Sequence, residues 1–282
     1  MDKRIIINAD DFGLCDGVNK AVAQAHTDGI LTSATIMVNM PGAAEAFEIA
    51  REMPSLAVGV HLNLFEGRAV SKDSRVDCLL NNDGSFAYSP FQLSILSAVS
   101  YKIRNAIRAE LAAQIQSVFD NGLTPTHLDS HKHIHSSPSI FPIVCNLAGR
   151  LEIPAVRWVF EPKQLSQSPW PLPSQGGRQR AAIVRTMAKI NRIQNSQFIK
   201  TDALLGVAHT GKIDVNFFKA VSLYHSAQTA EVMTHPGFSD GIDADQTRLV
   251  NQRKLELEAL CSERTKQYLK DAAIELVHYG KL

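Results

Sequence analysis

Ten histidines occur in this 282-residue chain, and four of them fall within the ten-residue stretch Thr126–His135. Asp129 lies in the same stretch, and the four histidines are His127, His131, His133 and His135. If the stretch is extended, all five side chains point to one face, because side chains alternate along a strand. Imidazole is the commonest protein ligand for metals, and a carboxylate complements it. Same-face neighbours in a strand are roughly 6–7 Å apart. We therefore expect one of the five to bind an ion and the others to orient that ligand or to face a substrate.

Aspartate and histidine also follow other apolar segments of the chain. Asp10 and Asp11 come soon after an isoleucine run, His61 lies near the end of Leu56–Leu64, and His235 follows Ala230–Thr234. In parallel α/β folds the active site collects at the carboxyl ends of the strands. A single Asp after a strand is often a turn or cap residue. Three or four strand ends that carry Asp or His favour a functional site.

These residue types are suited to metal-assisted hydrolysis. One carboxylate and two imidazoles leave open positions on a divalent ion for water and substrate. Such an ion lowers the pKa of its water and polarises a carbonyl oxygen. A second carboxylate can then take the proton of the water, and a further histidine can protonate the leaving group. Asp10 and Asp11 are adjacent and project in different directions, so one can bind the ion while the other acts as the base.

The elements that must position these residues alternate between strand-like and helix-like segments. This alternation predicts parallel strands joined by crossover helices. Our first choice is an α/β fold of the distorted TIM-like (β/α) barrel type, closed or nearly closed, and an open doubly wound sheet is the second. The chain has no GxGxxG or P-loop motif at a strand end, which weakens a nucleotide-binding version. Around the histidine-rich stretch, the predicted strands are Arg4–Asn8, Ile30–Asn39, Leu56–Leu64, Pro154–Phe160, Asp202–Val207, Ala230–Thr234 and Ala273–Val277.

We expect residues 1–282 to form a single barrel domain with two insertions at its mouth, at about 66–101 and 161–200. The first contains a strong turn signal, Asn-Asn-Asp-Gly, and the second is rich in proline and serine near its start. From Lys163 to Lys200 the sequence has seven basic residues and no acidic one. A solvated helix face explains this charge most simply, and a patch for an anionic surface is the alternative.

Bulk composition excludes several classes of function. The net charge of +1 gives no reason to expect nucleic acid, and it leaves at most peripheral contact with a membrane. The apolar run near the N-terminus is too short for a signal peptide, and no run is long enough to span a bilayer. The four cysteines are far apart and form no CxxC pair, which fits a reducing cytoplasm. The sequence leaves open whether the protein forms a homodimer.

Four segments, in this order along the chain, resemble the YdjC-like family of carbohydrate deacetylases. That family includes chitooligosaccharide deacetylases and members associated with hopanoid biosynthesis. The segments are Asn8–Gly13 (Asn-Ala-Asp-Asp-Phe-Gly), Val58–Leu64 (Val-Gly-Val-His-Leu-Asn-Leu), Thr126–His133 (Thr-His-Leu-Asp-Ser-His-Lys-His) and Glu231–Pro236 (Glu-Val-Met-Thr-His-Pro). The opening third of the chain and the basic segment are most similar to the hopanoid-associated branch.

The resemblance implies a TIM-like barrel with one divalent ion held by Asp11, His61 and His131. It also implies Asp10 as the catalytic base and His235 as an acid or charge stabiliser. The reaction would be hydrolysis of an N-acetyl group on an amino sugar, which gives a free amine and acetate. The substrate would be a small acetylated sugar or a glycolipid.

Some assignments stay broader. Asp129, His133 and Trp170 are candidate substrate contacts. Zinc or magnesium is the first expectation for the ion, and the same donor types accept manganese, cobalt or nickel.

Three alternatives to the deacetylase stay open at this point. His127 and Asp129 with a distant histidine could form the two-histidine, one-carboxylate site of an iron oxygenase. The His-x-His pairs could support a two-metal phosphoesterase or amidohydrolase on the same barrel. A non-catalytic sugar-binding barrel is the third alternative, and the complete set of Asp and His residues weighs against it.

Overall fold

The structure, a computed structural model, describes residues 3–166, 171–192, 197–239, 241–242 and 249–282. Within these residues it has eight strands and ten helices. The strands are β1 (Lys3–Phe12), β2 (Ser33–Ile36), β3 (Ala57–Leu62), β4 (His127–Ser130), β5 (Ala155–Val156), β6 (Ala203–Leu205), β7 (Thr229–Thr234) and β8 (Ile274–Val277). The helices are α1 (Asp16–Thr27), α2 (Ala43–Glu52), α3 (Pro90–Val99), α4 (Tyr101–Asp120), α5 (Phe141–Arg150), α6 (Lys163–Ser166), α7 (Gly177–Asn191), α8 (Val215–Ser222), α9 (Asn251–Cys261) and α10 (Glu263–Asp271). Shorter 3₁₀ segments cover Ser74–Leu79, His131–Ser136 and Tyr279–Lys281.

All strands of the sheet that pair do so in parallel. The order along the sheet is β5-β4-β3-β2-β1-β7-β6, and β8 pairs with the first half of β1. The central strand β1 contains Ile5, Ile6 and Ile7, which are fully buried, as expected for a parallel strand that is covered on both faces. Because β8 pairs with β1, the two ends of the described chain share one sheet. This supports our proposal of a single barrel domain.

The two edges of the sheet approach each other, so the sheet curls into a distorted barrel. Ala155 of β5 forms a parallel bridge with Ile199, which precedes β6. The backbone N–H of Leu204 donates to the carbonyl of Phe160 over 2.9 Å. The prediction of a distorted TIM-like barrel with parallel strands is therefore confirmed.

Six of the predicted strands are shorter in the structure, among them Pro154–Phe160 and the histidine-rich stretch. The predicted strand Pro154–Phe160 pairs with β4 only over Ala155–Val156, and the side chain of the next residue, Arg157, contacts buried carboxylates. The histidine-rich stretch is a strand only as far as Ser130, and a 3₁₀ segment follows. Lys132 and His133 each have φ of 54°, which breaks the alternation of side chains. The expectation that all five polar residues of this stretch share one face was therefore wrong.

The two predicted insertions contain helices that border one cavity. The first includes α3, whose N-terminus carries a capping box between Ser89 and Gln92. The second includes α6 and α7. None of the described helices is both long enough and apolar enough to cross a membrane.

One close backbone approach positions α7. A Cβ added to Gly177, the first residue of α7, would lie 2.0 Å from the carbonyl oxygen of Ala208. That carbonyl belongs to the loop that follows β6, so only glycine allows α7 to pack there.

We expect Gly177→Ala to lower the free energy of unfolding by about 2–3 kcal/mol, because overpacking forces the backbone to move. The matched control is Gly149→Ala in α5, where an added Cβ meets no atom of the described residues within 4 Å. This control should be neutral or should stabilise by up to about 1 kcal/mol, as alanine is the better helix former. Chemical denaturation measures both. Equal effects of the two substitutions would contradict the packing argument.

Candidate active site

The Asp and His residues singled out from the sequence meet at the carboxyl ends of four strands. Asp10 and Asp11 lie near the end of β1, and His61 lies at the end of β3 beside Asp129 of β4. His131 directly follows β4, and His235 directly follows β7. Because every pair of strands is parallel, these ends lie on one edge of the barrel. The prediction of a shared edge is thus supported by the sheet order.

Asp11, His61 and His131 form a compact group of potential metal ligands. The Asp11 Oδ1 atom lies 3.4 Å from Nε2 of His61 and 3.0 Å from Nδ1 of His131. One ligand atom from each residue lies within 4.8 Å of the other two. Asp11 has φ of 65°, an uncommon value for a residue other than glycine. This backbone conformation turns its carboxylate away from that of Asp10.

A further carboxylate contacts the outer ring nitrogen of each histidine, Asp129 for His61 and Glu66 for His131. Oδ1 of Asp129 lies 2.8 Å from Nδ1 of His61, and Thr35 donates its hydroxyl to Oδ2 of Asp129 over 3.0 Å. Oε1 of Glu66 lies 3.0 Å from Nε2 of His131. A neutral imidazole has one N–H donor and one lone pair. If the carboxylates accept the N–H groups, the lone pairs of His61 Nε2 and His131 Nδ1 point toward Asp11, as in the carboxylate–histidine arrangement of metal sites.

Arg253 of α9 holds the remaining oxygen of Asp11. Its Nη2 donates to Asp11 Oδ2 over 2.6 Å, which leaves Oδ1 to the two histidines. Burial alone would raise the pKa of Asp11, but Arg253 and His131 hold it well below its usual range. Asp11 is therefore ionised and available as a ligand.

The same charges act on the histidines of the group. Burial alone would lower the pKa of His61, but the Asp129 and Asp11 carboxylates raise it to about 10. The pKa of His131 is also raised, because Asp11 and Glu66 outweigh its burial. Without a metal ion, protons on these rings balance the negative charge of the site.

Asp10 is held by a fully buried arginine. The guanidinium of Arg157 donates to Asp10 Oδ2 over 2.8 Å and to Oδ1 over 2.6 Å, and the amide of Asn8 donates to Oδ1 over 2.9 Å. Burial alone would raise the pKa of Asp10, but Arg157 outweighs it and the pKa is lowered. The carboxylate is thus ionised and fixed in orientation at the edge of the metal group.

Arg157 also contacts two other carboxylates. Its Nη1 lies 2.7 Å from Asp129 Oδ2, and its Nη2 lies 2.6 Å from Glu231 Oε1. The Tyr279 hydroxyl donates to the other oxygen of Glu231. One cation therefore links β1, β4 and β7.

His235 borders the cavity and has an unused ring nitrogen. Its backbone N–H donates to Glu256 Oε2 over 2.6 Å. Its Nδ1 lies 3.7 Å from the same oxygen, too far for a hydrogen bond, and has no hydrogen-bond partner among the described residues. That nitrogen is buried, and the ring borders the cavity, so His235 can act on a substrate there.

The other histidines of the stretch have different positions. His133 borders the cavity, and its Nδ1 has no hydrogen-bond partner in the described part of the chain. Burial, and then Arg157, lower the pKa of His133 to about 3, so its ring is neutral. His127 stacks on the ring of Tyr279 at 4.2 Å between centroids, at the start of β4. His135 bonds Ser130 and the backbone carbonyl of Arg157. These last two histidines have structural contacts.

The other two predicted substrate contacts are Asp129 and Trp170. Asp129 is fully buried behind His61, Thr35 and Arg157. This position does not fit direct contact with a substrate, because its hydrogen bonds with Thr35 and His61 and its ion pair with Arg157 all lie inside the protein. Trp170 lies outside the described residues.

Three residues of the site were not expected from the sequence. Glu66, Arg157 and Arg253 are distant from the motifs that they support, so spacing gave no reason to choose them. Arg157 had one signal, because it interrupts an apolar segment, Ala-Val-Arg-Trp-Val. A charge inside such a run needs a buried partner.

The site forms the floor of a cavity of about 970 Å³. Asp10, Asp11 and the histidines His61, His131, His133 and His235 provide polar groups there. The walls are mainly apolar and come from α3, α7 and the residues near β6 and β7. The cavity thus combines a charged floor with an apolar entrance.

Comparison with known proteins gives a consistent family. A family model described as YdjC-like protein matches residues 4–271. A carbohydrate deacetylase from Brevibacillus brevis is 34% identical over 279 residues, covering 99% of each chain. One from Geobacillus stearothermophilus is 33% identical, covering 99% of this chain and 98% of the relative.

A solved structure extends the similarity to the fold. The crystal structure of a proposed cellobiose-phosphate cleavage protein from Enterococcus faecalis V583 superposes with a TM-score of 0.80 at 25% identity. The match covers 100% of this chain and 99% of that one. The family match spans nearly the whole sequence and includes every strand end described above, so this chain belongs to the YdjC-like family.

Proposed function

We propose that this protein is a metal-dependent carbohydrate deacetylase that hydrolyses the N-acetyl group of an amino sugar. One observation carries the proposal: Asp11, His61 and His131 offer three ligand atoms on the floor of a cavity, beside the ionised Asp10. The names of the relatives in the family support the same reaction.

The donor set fits one divalent ion. Asp129 and Glu66 hold the outer nitrogens of the two histidines, and Arg253 holds the outer oxygen of Asp11. Each ligand thus keeps one inward atom. Mixed carboxylate and imidazole donors suit zinc, and they also accept magnesium, manganese, cobalt or nickel. We propose zinc or magnesium first.

When bound, the ion would polarise the acetyl carbonyl and make the attacking water more acidic. The residues of the chain then have separate tasks. Asp10 accepts the proton of the water, since its Oδ2 accepts only one hydrogen bond from Arg157 and keeps a lone pair. The ring of His235 borders the cavity, where it can donate a proton to the departing amine or stabilise developing charge. The C–N bond breaks, and the products are acetate and a free amino sugar.

The structure weighs against two of the alternatives. Asp10, His61 and Asp129 could in principle hold a second ion. The Arg157 guanidinium already lies between Asp10 and Asp129, at 2.8 and 2.7 Å, and it would repel another cation. An iron site with His127 is disfavoured because that ring stacks on Tyr279 away from the group.

For the substrate, we propose a lipid-linked acetylated sugar over a soluble chitooligosaccharide. The apolar walls of the cavity favour an amphiphile whose sugar reaches the polar floor. We place the protein in the cytoplasm, which the four free cysteines support.

Asp10→Asn should lower the rate of acetate release about 10²–10⁴-fold, because the substitution removes the base but keeps the shape of the side chain. Acetate is measured with soluble acetylated chitooligosaccharides and with lipid-linked N-acetylglucosamine, on metal-loaded and chelated protein. The matched control is Asp16→Asn, an exposed acid in α1, which should retain full activity.

Each arm tests a different part of the proposal. Full activity of Asp10→Asn would exclude Asp10 as the base. No metal-dependent release from any acetylated sugar would exclude the deacetylase and favour a sugar-binding barrel. Rapid turnover of the soluble substrate alone would exclude only the lipid-linked assignment.

Glu66→Gln should weaken metal binding roughly 10–100-fold, because His131 loses the carboxylate that orients its ring. Titration against a competing chelator measures the affinity. Glu48→Gln, a change of an exposed acid in α2, is the matched control and should have no effect. Unchanged affinity in Glu66→Gln would contradict the role of the Glu66 carboxylate in orienting His131.

Metal binding should release protons, and affinity should rise with pH. The pKa of His61 is raised to about 10 in the metal-free chain, so near neutral pH the ring carries a proton that the ion must displace. With His131 also raised, we expect about two protons per ion. Calorimetry in buffers of different ionisation enthalpy counts them. A binding enthalpy that does not depend on the buffer would contradict this prediction.

A further inference from the structure

The entrance of the cavity exposes large apolar side chains on two helices. On α3, the exposed fractions of Phe91, Ile95 and Val99 are 76%, 50% and 78%, and Ile183 of α7 is 54% exposed. All four also border the cavity. Exposed apolar side chains are ordinarily scattered, and a group of them marks an interaction surface.

We use the term rim for α3, the first turn of α4 (Tyr101–Arg104) and α7. The exposed ring of Tyr101 directly follows α3, and the exposed Ile190 continues the outer face of α7. Helices α3 and α7 of the rim pack near the 3₁₀ segment His131–Ser136, which carries His131 and His133. The apolar surface is therefore continuous with the entrance.

The two sequence segments that contain the rim are strongly basic, although the whole chain is almost neutral. Residues 84–109 and 162–201 contain ten of the 29 Lys and Arg residues and none of the 28 Asp and Glu residues. The rest of the chain has 19 basic and 28 acidic residues, a net charge of −9. Positive charge is thus concentrated in the two sequence segments that contain the helices of the rim.

Exposed basic residues lie on the helices of the rim. Arg178 and Lys189 are exposed on α7, and Lys102 is exposed beside Tyr101. Helix α3, from Pro90 to Val99, contains no charged residue. An apolar surface flanked by Lys and Arg is the pattern of proteins that lie on a membrane surface.

Other occupants fit this surface less well. A second copy of the chain would bring its own positive rim against this one, at a cost in electrostatic energy. Nucleic acid would match the charge but would leave Phe91, Val99 and Ile183 without apolar contacts. An anionic bilayer satisfies both features, since lipid phosphates pair with basic groups while apolar side chains enter the region of the acyl chains.

We propose that the rim docks this protein on the surface of an anionic lipid bilayer, with the cavity open toward the membrane. Phe91, Ile95, Val99 and Ile183 enter the interface, and Arg178 and Lys189 contact lipid phosphates. The contact is peripheral, and it is independent of the reaction proposed above.

Vesicle sedimentation of the full-length protein tests the proposal. Wild type should bind vesicles that contain phosphatidylglycerol and should not bind vesicles of phosphatidylcholine alone. Binding should weaken with added salt, because ions screen the attraction. The double substitution Arg178→Gln with Lys189→Gln should reduce the partition coefficient roughly 30-fold. Phe91→Ser with Val99→Ser should reduce it roughly tenfold.

Matched controls change the same residue types elsewhere on the surface. Leu223→Ser with Leu255→Ser alters two exposed leucines outside the rim, and Lys254→Gln with Lys270→Gln removes two exposed lysines of α9 and α10. Both controls should bind vesicles like wild type. Circular dichroism checks that each variant is folded.

Three outcomes would overturn the proposal. They are no binding of wild type to phosphatidylglycerol vesicles, equal losses in the controls, and a dimer in sedimentation that the Phe91 and Val99 substitutions dissociate. Because no outcome uses catalysis, a protein without deacetylase activity could still pass, and an active deacetylase could still fail.

Discussion

The charge of one buried guanidinium is the constraint on which the centre of this barrel depends. Arg157 is fully buried and contacts Asp10, Asp129 and Glu231. A buried ion is costly unless it is paired and hydrogen-bonded, and loss of one partner from such a group typically costs about 3–5 kcal/mol. Without the arginine, the three acids would repel each other and take up protons. With it, the pKa values of Asp10 and Asp129 are both lowered.

The geometry of the proposed metal group follows from this arrangement. Asp129 is held by Arg157 on one oxygen and holds His61 on the other. His61 thereby presents its second nitrogen to Asp11. The left-handed backbone at Asp11 separates its carboxylate from that of Asp10, so two adjacent acids serve two different tasks. Supporting contacts of this kind fix the ligands before an ion arrives.

The polar floor and the apolar entrance of the cavity come from different parts of the chain. The floor is made by residues at the strand ends, where parallel pairing brings them together. The entrance is made by α3 and α7, which lie in the two segments that interrupt the regular alternation of strands and helices. These segments concentrate both the exposed apolar side chains and the excess of positive charge. In our proposals, the strand ends of the barrel carry the catalytic and metal-binding residues. The two segments select the substrate and bind the membrane surface.

Much of the fold and part of the site could be predicted from the sequence. The strand pattern indicated a parallel α/β barrel, because apolar segments repeated at the spacing of crossover units. Asp10, Asp11, His61 and His235 could be chosen because they lie at or just after the ends of predicted strands, which share an edge in such folds. His131 was singled out among the four histidines of its stretch only by the resemblance to the YdjC-like family. Asp129 was predicted as a substrate contact and lies buried behind His61 and Arg157, since a pattern of residue types does not show which polar side chains face a cavity.

The sequence by itself thus determined which polar residue types lie at the carboxyl ends of the strands. Only the tertiary structure decided their partners. Glu66, Arg157 and Arg253 reach the site from 28 to 242 positions away from the residues they bind. No local pattern encodes such contacts, because they depend on how the sheet curls and on which buried charge needs compensation. The turn at Lys132 and His133 was also visible only in the tertiary structure, because residue type does not predict positive φ values for a lysine and a histidine.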